Sequence, residues 1–249
     1  MNSQPVFLLF GTAHLVVIFL TIFIPLVLAI AVRLTNSHRL DRAVAFGVSL
    51  LLATNYLGYA FYLWNHDLLF WKQALPCQLC DWAMVTVMVA LVTGWRGWTE
   101  VCYFWGIGGT FQAILTPNLQ VGFPDIRFIS FFVGHCGIVA GVIYLLIARR
   151  FRPTLGSVWR TLAWSQLYLF ATLAIDYLTN VNYGFLLHKP QAASILDYLS
   201  NTRWLYLVEL NGLALLFFAI LFAPFAIADL LAWARAKIDL LKRDKDGAL

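Results

Sequence analysis

A chain of 249 residues that is 61% hydrophobic and 12% charged, with a mean hydropathy of +0.78, carries about half the charge of a typical soluble domain. That excludes a soluble globule, and twenty Phe, ten Trp and ten Tyr exclude a disordered chain. The net charge of +5 would suit a nucleic-acid binder, but the basic residues first have to be placed relative to a membrane.

Seven apolar runs are candidates to cross a bilayer, which takes roughly 20 residues each. They fall at about 15–32, 43–64, 79–92, 99–115, 128–148, 159–179 and 204–231. Pro25 and Pro224 mark positions where the first and last helices are expected to bend. No charged side chain occurs in the first seven residues, so the first run reads as a retained helix rather than a cleaved leader. The expectation is an all-α, polytopic membrane bundle of about seven transmembrane helices. Residues 1–231 form a single transmembrane domain and 232–249 a basic cytoplasmic tail.

The loops alternate in basic content. Arg33, Arg39, Arg42, Arg96, Arg149, Arg150, Arg152, Arg160 and the tail residues Arg235, Lys237, Lys242, Arg243 and Lys245 fall on one side, thirteen of the seventeen Lys and Arg. Lys72, Arg127, Lys189 and Arg203 fall on the other. The positive-inside rule makes the larger group cytoplasmic, the N-terminus external and the C-terminus internal. The charge is thereby accounted for as a topology signal, with no nucleic acid needed.

Polar groups inside apolar spans are costly, so their depth is informative. Cys80 and Asp81 open the third span from the outside, and His135 lies about two turns into the fifth. Asp176, Asn180 and Asn182 close the sixth, Glu209 and Asn211 open the seventh, Asn55 sits mid-way along the second, and His14 sits at the edge of the first. The clustering predicts a polar cavity opening toward the outer leaflet. Each group can equally cap a helix or bond to a neighbouring helix.

Of four cysteines, Cys102 and Cys136 occupy ordinary apolar positions. Cys77-Gln78-Leu79-Cys80 follows Pro76, which suits the first position of a helix and puts Cys80 near its N-terminal turn. The helix dipole there favours the thiolate, the nucleophilic form, while Asp81 opposes it unless it faces away. His135, in Gly134-His135-Cys136-Gly137, is flanked by small residues that admit a close neighbour. A thiol and an imidazole at matching depth form a pair suited to acyl transfer. The Cys-x-x-Cys pair also suits disulfide exchange with a quinone partner, and with His135 it offers three zinc ligands, lacking an evident fourth. Asp176 and Glu209 could orient His135 or serve a transporter, and Arg127 and Lys189 suit either phosphate contacts or interfacial anchoring.

Several short blocks in order resemble the YwaF-type integral membrane proteins over about residues 45–215. They are Leu75-Pro76, Leu79-Cys80-Asp81, Tyr103-Phe104-Trp105-Gly106, Thr110-Phe111-Gln112-Ala113, Thr116-Pro117-Asn118, Phe123-Pro124, Arg127-Phe128, Gly134-His135, Asn182-Tyr183, Lys189-Pro190 and Leu196-Asp197. That family is similar to a human transmembrane acyltransferase that moves acyl chains between phospholipids, ether lipids included, through a cysteine acyl-enzyme. More distantly it resembles the androgen-induced membrane hydrolases of fatty-acid esters, which pair Thr with His. The resemblance implies Cys80 as nucleophile and His135 as general base, in a cell membrane and facing the outer leaflet. Gln78, Asp81, Gln112, Asn118, Arg127, Asp176, Asn182, Lys189 and Glu209 are the supporting or substrate-binding candidates. Gln78 stands where many relatives are expected to carry His. Membrane lipids are the implied substrates, with no cofactor and no metal. A transporter using the same cavity and a Cys-x-x-Cys oxidoreductase remain the competing readings.

Overall fold

The computed structural model describes residues 5–70, 72, 74–190 and 194–246, with side chains up to Asp239. α1 (Thr12–Thr35) ends where Asn36 takes a left-handed conformation, φ 48°, and α2 (His38–Asn65) starts on a Ser37 hydroxyl that accepts from Leu40 N. α3 (Leu79–Thr93) stops at Gly94, φ 68°, which no side-chain-bearing residue adopts as readily. α4 (Arg96–Trp105) passes through a π-helical turn, Gly106–Thr110, into α5 (Phe111–Leu115). α6 (Ile126–Ile147) is capped by Asp125 and α7 (Leu155–Thr179) by the reciprocal pair Thr154 and Ser157. α8 (Arg203–Asp246) is unbroken over 44 residues.

Each expected span is therefore a helical rod, and two differ from expectation. The fourth is interrupted by the π turn, and the last runs on through Leu231, so the described part of the expected tail is helix. Both prolines lie inside continuous helices.

Among the described residues, four helices are long and apolar enough to cross a membrane, namely α1, α2, α6 and Arg203–Asp239 of α8. The others fall short in length or in polarity. α3 has 15 residues, α4 and α5 are separate pieces, and the buried face of α7 is mostly polar, with Ser157, Thr161, Tyr168, Thr172, Asp176 and Thr179. A helix face packed against protein does not need the uniformly apolar surface that lipid demands.

α6 is the common neighbour of α1, α2, α3, α4 and α5. Its small residues set how near they come. A Cβ on Gly137 would lie 2.7 Å from Leu52 Cδ2 of α2, and one on Gly141 would lie 2.6 Å from Val87 Cγ1 of α3. The α4 backbone approaches in the same way, since a Cβ on Gly106 would lie 2.9 Å from Val142 Cγ2.

Two ion-paired clasps fix one end of the bundle, here the basic face. Asp41 of α2 accepts from the Tyr144 hydroxyl at 2.6 Å and from Arg149 Nη2 at 3.1 Å, and Arg149 Nη1 also donates to Ala90 O of α3. This joins the start of α2 to the ends of α3 and α6, so α3 and α6 run parallel. Glu100 of α4, 2% exposed in its side chain, accepts from Arg160 Nε at 2.6 Å and Nη2 at 2.7 Å and from Arg96 Nε at 3.2 Å. The half-buried Asp41 and the buried Glu100 escape a count of charges by loop, because each is neutralised by arginines of that same count. The opposite end, the site face, carries the first turns of α3 and α6 and the end of α7.

Replacing Gly141 with Ala is expected to cost about 1–3 kcal/mol through the Val87 collision. Gly47, in α2 with nothing within 4 Å of its Cβ position, is the matched control. There Ala is expected to stabilise by roughly 0.5–1 kcal/mol. Unfolding of the two purified variants checks the opposite signs.

Candidate functional site

The site is assembled by helix register. On α3, Cys80, Val87 and Leu91 recur at i, i+7 and i+11, a single stripe, and Val87 and Leu91 are the side chains nearest the Cβ position of Gly141 on α6. Cys80 lies seven residues, about 10 Å, toward the site face from that contact, and His135 lies six residues, about 9 Å, in the same direction from Gly141. The parallel helices thus put thiol and imidazole at one depth. A second register agrees. Ile138 and Val142 meet Gly106, and His135 extends their stripe, while Thr110 lies one turn beyond Gly106 toward the same face.

Thr110 closes this arrangement, its hydroxyl donating to Cys80 Sγ at 3.8 Å. The π turn places it there. Gly109 allows the turn to sit against Leu79, whose Cδ2 would lie 3.2 Å from a Cβ at that position, and the widened turn alters which side chains face α3. Thr110 is not among the candidates the sequence singles out, because no local pattern distinguishes a π turn within an apolar run.

His135 is held by its own helix. Nδ1 lies 2.8 Å from Phe131 O and the ring stacks on Phe131 at 4.1 Å between centroids. A carbonyl only accepts, so Nδ1 carries the proton of the neutral ring and Nε2 keeps its lone pair. His14 contrasts with it. Its Nδ1 accepts from Phe10 N and its Nε2 donates to Ile114 O at 2.7 Å, so both nitrogens are engaged in holding α1 to α5.

The first turn of α3 is tied down on both sides of Cys80. Asp81 Oδ2 turns back to accept from Gln78 N at 3.0 Å, which ties its carboxylate into the cap of α3. Gln78 Oε1 accepts from Gly184 N at 3.0 Å. Among the described residues the amides of Leu79 and Cys80 donate to no loop or cap acceptor. Cys77 and Cys80 are both free thiols, and so are Cys102 and Cys136.

A roof from the segment after α7 covers this turn. The fully buried Asp176 accepts from Tyr183 N at 2.8 Å, and the Tyr183 hydroxyl meets Leu75 N and Lys72 O. Tyr168 donates to Cys77 O at 3.1 Å. Gly184 is required, with φ 58° and the Tyr168 hydroxyl occupying the space that a Cβ would need.

Gln78, Asp81 and Asp176 thus hold the turn that carries Cys80, and His135 lies at the same depth on α6. The remaining candidates do other work. Arg127 is forked onto Asp125, with Nε 2.9 Å from Oδ1 and Nη2 2.8 Å from Oδ2. Asn182 accepts from Leu187 N and His188 N, and Lys189 Nζ donates to Asp197 O, Leu199 O and Asn201 Oδ1. Glu209 accepts from Ser200 N. Gln112 lies half-buried in α5 and Asn118 exposed beyond it.

The family model that matches this chain, the TMEM164 family, covers residues 9–222. The chain belongs to the TMEM164 family. Nothing matches it among curated proteins or among solved structures. As a TMEM164-family member with these apolar helices it is an integral membrane protein, and the matched stretch contains every element of the site just described.

Cys77, in the turn before α3, is 6% exposed, and burial followed by the neighbouring Asp81 charge pushes its thiol above the ordinary range. A raised pKa leaves less thiolate at a given pH. Maleimide labelling of Cys77, with the other three cysteines replaced by Ala, is therefore expected to lag behind glutathione at pH 7. Its rate should keep rising at pH values where that of the free thiol has levelled off.

Proposed function

We propose that this protein transfers or hydrolyses acyl chains of membrane phospholipids through a thioester on Cys80. The reading rests on helix register, which sets Cys80 and His135 at one depth, with the Thr110 hydroxyl at the sulfur and a His135 ring whose fixed tautomer leaves Nε2 as proton acceptor. In the first half-reaction Nε2 takes the thiol proton while Sγ attacks the ester carbonyl carbon. The carbon–sulfur bond forms, the bond to the glycerol oxygen breaks, and the imidazolium returns its proton to that oxygen. A second lipid hydroxyl, or water, then attacks the thioester and gives its proton through Nε2 back to the sulfur. The amides of Leu79 and Cys80 are the donors available to the oxyanion. Phe131 O stays bonded to Nδ1–H throughout and stabilises the imidazolium.

Two further arguments support this reading. The positive-inside rule supports a site face turned away from the cytoplasm, which in a cell membrane is the outer leaflet, within reach of lipid esters. The transporter alternative depends on Asp176 and Glu209, and each is engaged by the backbone of a different loop residue, Tyr183 and Ser200.

Intact-mass analysis after incubation with phospholipid tests the proposal. An acyl adduct, cleaved by hydroxylamine and absent from Cys80→Ala, is expected. His135→Ala should slow its formation by roughly 10²–10⁴-fold, and Thr110→Val by about two- to tenfold. Cys77→Ser should leave it intact, which a disulfide exchanger would not tolerate. Absence of any adduct or turnover across lipid classes overturns the proposal.

A further inference from the structure

A second polar feature on the site face lies apart from Cys80. Between the end of α7 and the start of α8 is a pocket of about 240 Å³, lined by His188, Lys189, Ser200, Asn201, Arg203 and Tyr206 among others. Arg203 packs its guanidinium over the Tyr177 ring at 4.8 Å, while Nη2 is buried and donates to nothing among the described residues. A buried guanidinium nitrogen without an acceptor is costly and calls for an absent partner. Lys189 has its ammonium hydrogens on loop acceptors, one of them a neutral amide and the others carbonyls, so its positive charge faces no carboxylate through those bonds.

His188 lines the pocket on an exposed loop, its Nδ1 3.0 Å from Asn182 Nδ2 and 3.3 Å from Lys189 O. The nearby carboxylates are engaged by backbone amides, Asp197 by Ser194 N and Glu209 by Ser200 N.

We infer that this pocket binds a phosphate group, through Arg203 with His188 beside it and Lys189 supplying field. A planar guanidinium with one unpartnered nitrogen matches phosphate oxygens, and the buried setting strengthens the bond. The phosphate can belong to a lipid headgroup at the membrane surface or to a free anion, and the site stands whether or not Cys80 is acylated.

The test uses full-length Cys80→Ala protein in an uncharged detergent, so that turnover plays no part. Its Tm is followed at constant ionic strength against inorganic phosphate and, separately, against short-chain phosphatidylglycerol and phosphatidylcholine. A saturable rise in Tm is expected. Arg203→Gln should weaken binding by about ten- to a hundredfold, with partial rescue in Arg203→Lys. His188→Ala, on an exposed loop, should weaken it severalfold and serves if Arg203→Gln fails to fold. Saturation by inorganic phosphate assigns the anion alone as sufficient, and saturation by the lipids only assigns a headgroup. No saturable rise with any ligand, or equal affinity in the wild-type pocket and its variants, overturns the inference. Loss of the Cys80 adduct in the mass experiment would leave this result standing.

Discussion

Everything at the site depends on how closely helices approach α6. In a membrane, association is not driven by hiding apolar surface from water, so packing distance carries unusual weight. Where Gly137 and Gly141 omit side chains, Leu52 and Val87 fill the space, and α2 and α3 are fixed in height as well as in distance. That interlock makes Cys80 and His135 level, although they lie 55 positions apart in the chain. The clasp of Asp41, Tyr144 and Arg149 holds the far ends of the same helices, so a shift in register at either end is opposed at both.

The bundle also separates two kinds of surface. Its four long apolar helices contrast with α3, the α4–α5 pair and α7, which turn hydroxyls, a carboxylate and the π turn toward protein. Polar groups are tolerated there because protein rather than hydrocarbon surrounds them, and most have a partner. The exceptions, Thr161 Oγ1, Thr172 Oγ1 and Asp176 Oδ2, all lie on the buried stripe of α7. Asp176 shows how far one group can reach. One of its oxygens organises the Tyr183 turn, and that turn then extends across to the segment leading into α3.

Much of the architecture is legible in the sequence. Apolar runs specify the rods, whereas Pro76, read as a first helical position, lies three residues before α3, which begins at Leu79 with Gln78 as its cap. Of the site, Cys80, His135, Asp81 and Asp176 are legible as polar exceptions at matching depth, and Gln78 through the family resemblance. Asn182 and Glu209 stand out by depth and Lys189 as an external basic residue, yet all three satisfy loop backbone. A polar residue beside a helix end looks the same in sequence whether it serves chemistry or an unpaired carbonyl. Thr110 is hidden because the α-helical period misplaces residues beyond a π turn. Arg203 is hidden because an arginine at a helix start reads as an interfacial anchor. Only the three-dimensional arrangement reveals that its guanidinium lacks an acceptor among the described residues.

The length of α8 has a mechanical consequence. Forty-four residues span about 66 Å, more than twice the roughly 30 Å of bilayer hydrocarbon, so a large part of this helix stands outside the membrane as a stiff shaft. The shaft is continuous with Phe217 and Leu221, which lie against the Cβ position of Gly108 within the π turn. Torque applied to its far end is therefore delivered, without an intervening hinge loop, to the turn that holds the Thr110 hydroxyl at the Cys80 sulfur.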